Sequence, residues 1–176
     1  MSKASIHQLK VTLEHSAPPV WRRLEISSDT SLSDLGLILQ RAMGWEEGGT
    51  GTFEINGASY GDGGRPLRST LRDAGLGAHE EFEYLYSLGS RWEHAVTVEA
   101  VHPQSGAYAG PKCVAGEGAC PTPMRYGAMQ RVLNKKSNPD IEDTLEILPE
   151  EFALHGFDQE RVNKRLSTLP LKAARA

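Results

Sequence analysis

The amino-acid sequence predicts an α+β fold: a mixed or antiparallel sheet with a β-grasp-like first half, packed against one long helix and a C-terminal helical segment. Three observations carry this. Apolar and polar residues alternate repeatedly in the first hundred positions, the period of half-buried strands. One segment, from Leu32 to Met43, instead carries the apolar stripe of an amphipathic helix. Apart from one short turn, helical patterns return only after a Gly- and Pro-rich stretch from Pro103 to Pro123, which reads as a long irregular loop rather than a linker.

Residues 6 to 13 place Leu9, Val11 and Leu13 on one face and Gln8, Lys10 and Thr12 on the other. His15-Ser16-Ala17-Pro18-Pro19 turns the chain. A second strand, Val20 to Ile26, follows with Val20, Leu24 and Ile26 inward and Arg22 interrupting that face, and the two strands are expected to pair antiparallel. Ser31 followed by Asp34 forms a variant capping box that opens the helix, whose stripe is Leu32, Leu35, Leu39, Ala42 and Met43. Gly44 closes it, because glycine tolerates the left-handed conformation there, and Trp45 folds back on the last turn.

Asn56-Gly57 suits a type I′ turn and sets Ile55 against Ala58 and Phe53 against Tyr60 in a hairpin. Leu67 to Gly75 reads as a short helical turn capped by Ser69. Phe82, Tyr84 and Tyr86 share one face of a strand, and Trp92, His94, Val96 and Val98 share one face of the next. Three helical pieces close the chain: Met124 to Leu133, Pro139 to Leu148, and a third that begins after the N-cap Asp158 and ends near Thr168, with Phe157 and Val162 as its hydrophobic staple.

The chain has 176 residues, 39% of them hydrophobic and 24% charged, enough for one core. A single domain over 1–170 with a frayed tail at 171–176 is expected. The formal net charge of −4 argues against non-specific nucleic-acid binding, which depends on Lys and Arg neutralising phosphates. No signal-peptide pattern or membrane-length apolar run is visible, so a soluble cytoplasmic protein is expected, with its two cysteines as thiols.

Phosphate-loop, dinucleotide-binding and nucleophile-elbow patterns are absent from the sequence. His94 has the side chain of a general base or metal ligand, but Trp92 and Val96 flank it on an apolar strand face, which favours a core histidine bonded to backbone. Cys113 and Cys120 are spaced too widely for a zinc knuckle; a metal site there would need His94 or His102 and a carboxylate such as Glu117. Trp21, Trp45, Phe53, Tyr84, Tyr86 and Trp92 are candidates for lining a pocket or contacting a partner, since aromatic residues are enriched at binding hot spots, and of these Trp45, Tyr84, Tyr86 and Trp92 are assigned to the site. With Arg91, His94, Cys113, Glu117, Cys120 and Tyr126 they make up the candidate binding residues, centred on an expected concave surface near Trp45, Tyr86, Trp92 and Cys113.

The run Pro18-Pro19-Val20-Trp21-Arg22-Arg23-Leu24, the Ala42-Met43-Gly44-Trp45 motif and the segment from Tyr84 to Pro121 together resemble the Ri-plasmid third-open-reading-frame family, also labelled the insertion-element passenger TnpR-like family. The resemblance spans nearly the whole chain and implies a shared fold and an association with plasmid or mobile-element gene content. It also exposes departures. Relatives read Y-D-F-G-D-x-W-x-H where this chain has Ser87 and Ser90 in place of both acids, and H-x-H-x-F where it has Gly49 and Gly51. After the second cysteine, relatives carry C-P-P-E-D, whereas this chain reads Cys120-Pro121-Thr122-Pro123-Met124 without an acid. A serine-recombinase activity finds no support, since the acidic second half lacks a basic DNA-binding tail. The expected function is a non-enzymatic binding or interaction module, without a cofactor, whose partner is a protein or small molecule rather than nucleic acid or membrane. Homodimerisation through a sheet edge is compatible with this reading. The alternative is a metal-dependent enzyme using His94 and the Cys113–Cys120 loop.

Overall fold

The computed structural model describes residues 3–16, 19–45, 50–88, 90–118 and 157–171. Among them, seven strands form one sheet: β1 (Ser5–Leu13), β2 (Val20–Ser27), β3 (Thr50–Ile55), β4 (Ala58–Tyr60), β5 (Glu81–Leu88), β6 (Ser90–Pro103) and β7 (Lys112–Glu117). Two helices accompany them, α1 (Leu32–Met43) and α2 (Gln159–Ser167). The strand order is β4-β3-β5-β6-β1-β2-β7. Every strand pair is antiparallel, so the antiparallel form of the expected sheet is the one adopted, and the fold is α+β with sheet predominating. No helix among the described residues is long and apolar enough to cross a membrane. The first two C-terminal helical pieces expected from the sequence, Met124 to Leu133 and Pro139 to Leu148, lie outside the described residues.

Alternation decides which face of each strand is covered. Leu9, Val11 and Leu13 of β1 oppose Leu24, Arg22 and Val20 of β2, and all six are buried. On β5 and β6, Phe82, Tyr84 and Tyr86 oppose Val96, His94 and Trp92 on the same buried face. The opposite face carries polar side chains, among them Arg23, which holds Glu99 through Nε and Nη2 at 2.5 and 2.9 Å.

Helix α1 closes the buried face. Ser31 accepts a hydrogen bond from the Asp34 N–H at 3.1 Å, satisfying one of the free donors of the first turn. At the other end Gly44 has φ 93°, and the Gly44 and Trp45 N–H groups bond to the carbonyls of Arg41 and Gln40, a Schellman motif that turns Trp45 back into the core. Asn56 and Gly57, at φ 50° and 76°, make the expected two-residue hairpin turn. The turn after Leu67 is capped by Thr70 rather than Ser69. Thr70 and Asp73 exchange reciprocal N–H to side-chain bonds at 2.9 and 3.1 Å, which a hydroxyl three residues before an acid can make.

Helix α2 is capped by Asp158 as expected, which accepts from the Arg161 N–H at 3.1 Å, and it packs against α1 and β7. Asn163 does more than pack. Its Oδ1 accepts from the Cys113 N–H at 2.8 Å and its Nδ2 donates to the Cys113 carbonyl at 2.9 Å. Both Cys113 backbone groups point away from β2, so this amide takes the place of a neighbouring strand at the outer edge of β7.

Candidate functional site

Five of the sequence-predicted binding residues do converge, but in the core. Trp45 stacks on Tyr86 with centroids 5.1 Å apart, tilts against Trp92 at 4.7 Å and meets His94 edge-on at 5.2 Å. Tyr84 lies 5.5 Å from His94 and 4.7 Å from Phe53. Trp45, Tyr86, Trp92 and Cys113, expected to line a concave surface, are each at most 2% exposed. The reason is parity: Tyr86, Trp92 and Cys113 project from the sheet face that α1 and its C-terminal turn cover, and Trp45 packs onto that face from the turn, where each large ring removes ~150–250 Å² from water.

His94 is sealed within this cluster. Its Nδ1 lies 3.2 Å from the Tyr84 carbonyl oxygen, and since that oxygen only accepts, Nδ1 carries the proton. Nε2 is buried and has no hydrogen-bond partner among the described residues. Burial, opposed by the backbone hydrogen bonds, pushes the imidazole pKa down to about 4, so the ring is neutral at physiological pH. This is the core histidine expected from its strand context.

The topology also separates His94 from Cys113. β6 and β7 are three places apart in the sheet, which at about 4.8 Å per strand is roughly 14 Å. A single ion cannot bind both. Glu117 is turned from Cys113 by a bulge: the β2–β7 register shifts between Arg23 and Leu24, so Cys113 opposes inward Leu24 while Glu117 opposes outward Trp21. The Glu117 carboxylate accepts from the Trp21 Nε1 at 3.2 Å. Cys113 donates to the Ala115 carbonyl at 3.3 Å, and burial raises its thiol pKa, holding it protonated. Arg91 is exposed and faces Glu93 at 3.4 Å. Cys120 and Tyr126 lie outside the described residues.

Beside the aromatic cluster a cleft of about 300 Å³ opens between α1 and the β3–β5 pair. Leu32, Ser33, Gly36, Leu37 and Gln40 line it from one side of the helix, Gly51, Phe53 and Tyr84 from the sheet, and Asp62 and Leu67 from the following loop. Gln40 is only 6% exposed, a polar group the apolar stripe did not anticipate. It donates through Nε2 to the Tyr84 hydroxyl at 2.9 Å, and that hydroxyl in turn donates to the Gly36 carbonyl at 3.4 Å. Burial raises the Tyr84 pKa, so the hydroxyl remains a hydroxyl. Gly51 is needed for this arrangement, since a Cβ there would stand 2.5 Å from the Tyr84 oxygen. The sequence carries only a partial signal for this site, a glycine within the helix, Gly36, and one at the start of a strand, Gly51.

Arg22, read from sequence as an interruption, is a buried tie between elements. Its guanidinium donates to the carbonyls of Ala42 at the end of α1 and of Glu117 and Gly118 at the end of β7, at 3.0, 2.9 and 2.9 Å. A cation at the C-terminus of α1 also suits the helix dipole.

The fold is similar to that of the crystal structure of MM3350, a protein of unknown function from Methanosarcina mazei Go1, with a TM-score of 0.70 and 24% identity over 90% of this chain and 98% of that one. The sequence is similar to that of the uncharacterized protein y4hQ of Sinorhizobium fredii, 31% identical over 192 residues that cover 98% of this chain and 96% of the other. Residues 5–165 match the plasmid pRiA4b ORF-3-like proteins, in agreement with the motifs quoted above. By this match and by its relative, the chain belongs to the plasmid pRiA4b ORF-3-like family.

Proposed function

We propose that the protein is a non-enzymatic binding module that takes a small organic ligand in the cleft between α1 and the β3–β5 pair. One observation carries the reading: the almost wholly buried Gln40 lines a cleft of about 300 Å³. That volume is at the lower end of the ~300–1,000 Å³ of ligand pockets, which combine apolar walls with a few placed polar groups. Leu37 and Leu67 supply apolar wall, and Tyr84 fixes the amide by taking one of its N–H groups. The tyrosine of the lining stays protonated, which favours binding over catalysis.

Ligand-observed NMR of a fragment library against the full chain tests this. Fragments are expected to bind the wild type, to be lost on Ser33→Phe, which covers the exposed mouth, and to weaken about 2- to 10-fold on Gln40→Met, the worth of one hydrogen bond. Fragments that bind equally to all three proteins, or an absence of binding to the wild type, would refute the assignment.

A further inference from the structure

At the end of the sheet where β1 enters its turn and β6 begins, three metal-binding side chains meet. One ligand atom each from Glu14, His15 and Glu93 lies within 4.8 Å of the other two. His15 Nε2 stands 3.6 Å from Glu93 Oε2. That is beyond the ~2.7–3.2 Å of an N–H···O hydrogen bond. It is close to the edge of a zinc tetrahedron, in which donors about 2.0–2.2 Å from the ion lie roughly 3.4 Å apart.

The other oxygen of Glu93, Oε1, faces Arg91 Nε at 3.4 Å. This exposed ion-pair contact, too long for a hydrogen bond, engages one oxygen only and leaves the second for an ion. The backbone beneath is fixed. The Glu14 N–H donates to the Glu93 carbonyl at 2.9 Å, and Glu93 lies within β6, paired with Leu85. His15 takes a left-handed φ of 59° in a turn tied by Ser16, whose hydroxyl bonds the Leu13 carbonyl at 2.6 Å and the Val20 N–H at 2.9 Å.

We propose that Glu14, His15 and Glu93 form a binding site for a divalent transition-metal ion of the zinc class. Imidazole with two carboxylates suits zinc and its neighbours rather than magnesium, which favours all-oxygen shells and retains its waters. Three protein ligands leave at least one coordination position for water. The site shares no residue with the cleft.

The test is calorimetric titration of untagged, chelator-treated full-length protein with zinc chloride at neutral pH, repeated on His15→Ala and Glu93→Gln. The wild type is expected to bind one zinc, each variant to lose at least about tenfold in affinity, and magnesium to give no heat. Chemical shift changes on zinc addition are expected at the amides of Glu14, His15 and Glu93. His15 is exposed, with 59% of its side chain accessible, so the metal-free circular dichroism of His15→Ala should match the wild type. No zinc bound by the wild type, or zinc bound equally by both variants, overturns the proposal.

Discussion

Single side chains that break the apolar pattern prove the most informative residues here. Arg22 and Gln40 each occupy a buried position, and each is satisfied by partners distant in sequence: carbonyls of α1 and β7 for the first, the Tyr84 hydroxyl for the second. Periodicity marks such positions only as exceptions, because the partner that satisfies them is set by tertiary packing. His94 was legible as a core residue from its neighbours, and its burial has a measurable consequence. Its pKa is about 4 in the fold against 6.5 for the free side chain, so the unfolded chain takes up a proton that the native protein refuses. Stability from this group is complete above 6.5 and is lost as pH falls towards 4, by about 3 kcal/mol in all. Urea unfolding followed across that window is expected to show the decline in the wild type and a shallower one in His94→Leu; equal slopes would contradict it.

At the scale of elements, local chemistry was readable where the signal is local. The Asn56-Gly57 hairpin, the Ser31 and Asp158 caps and the Gly44 terminator all stand as the sequence specifies them. The bulge opposite Arg23 and Leu24 was not readable, since alternation fixes a face only until an extra residue reverses it. That reversal is why Cys113 and Glu117, which strict alternation would put on one face, point to opposite sides. Nor does any sequence pattern announce that Asn163 will occupy the edge of β7. Replacing it leaves the Cys113 N–H and carbonyl without that partner. Asn163→Ala is expected to cost about 1–3 kcal/mol in chemical denaturation and to raise self-association in analytical ultracentrifugation. A variant that stays monomeric with unchanged stability would show that the amide has no part in guarding the edge.

For the molecule as a whole, patterning was sufficient for the α+β class and the quoted motifs for the family resemblance, but neither for the order of strands. β1 sits between β2, its immediate successor, and β6, which begins at Ser90. Such non-local pairing is decided by packing across the sheet, which no short window records. The same order explains why the aromatic residues became core rather than surface: the β5–β6 hairpin lies at the centre of the sheet beneath the covered face.

That central hairpin also governs how the chain can be assembled. β3–β4 and β1–β2 lie early in the sequence, yet among the described strands β3 pairs only with β4 and β5, and β1 only with β2 and β6. A ribosome that has delivered residues up to Gly77 has made two hairpins with no strand edge in common. They become one sheet only when the later hairpin slots between them, so a chain stopped there is expected to lack a cooperative thermal transition by circular dichroism. During synthesis, both inner edges stand open until the wedge arrives, and unpaired edges of that kind favour aggregation.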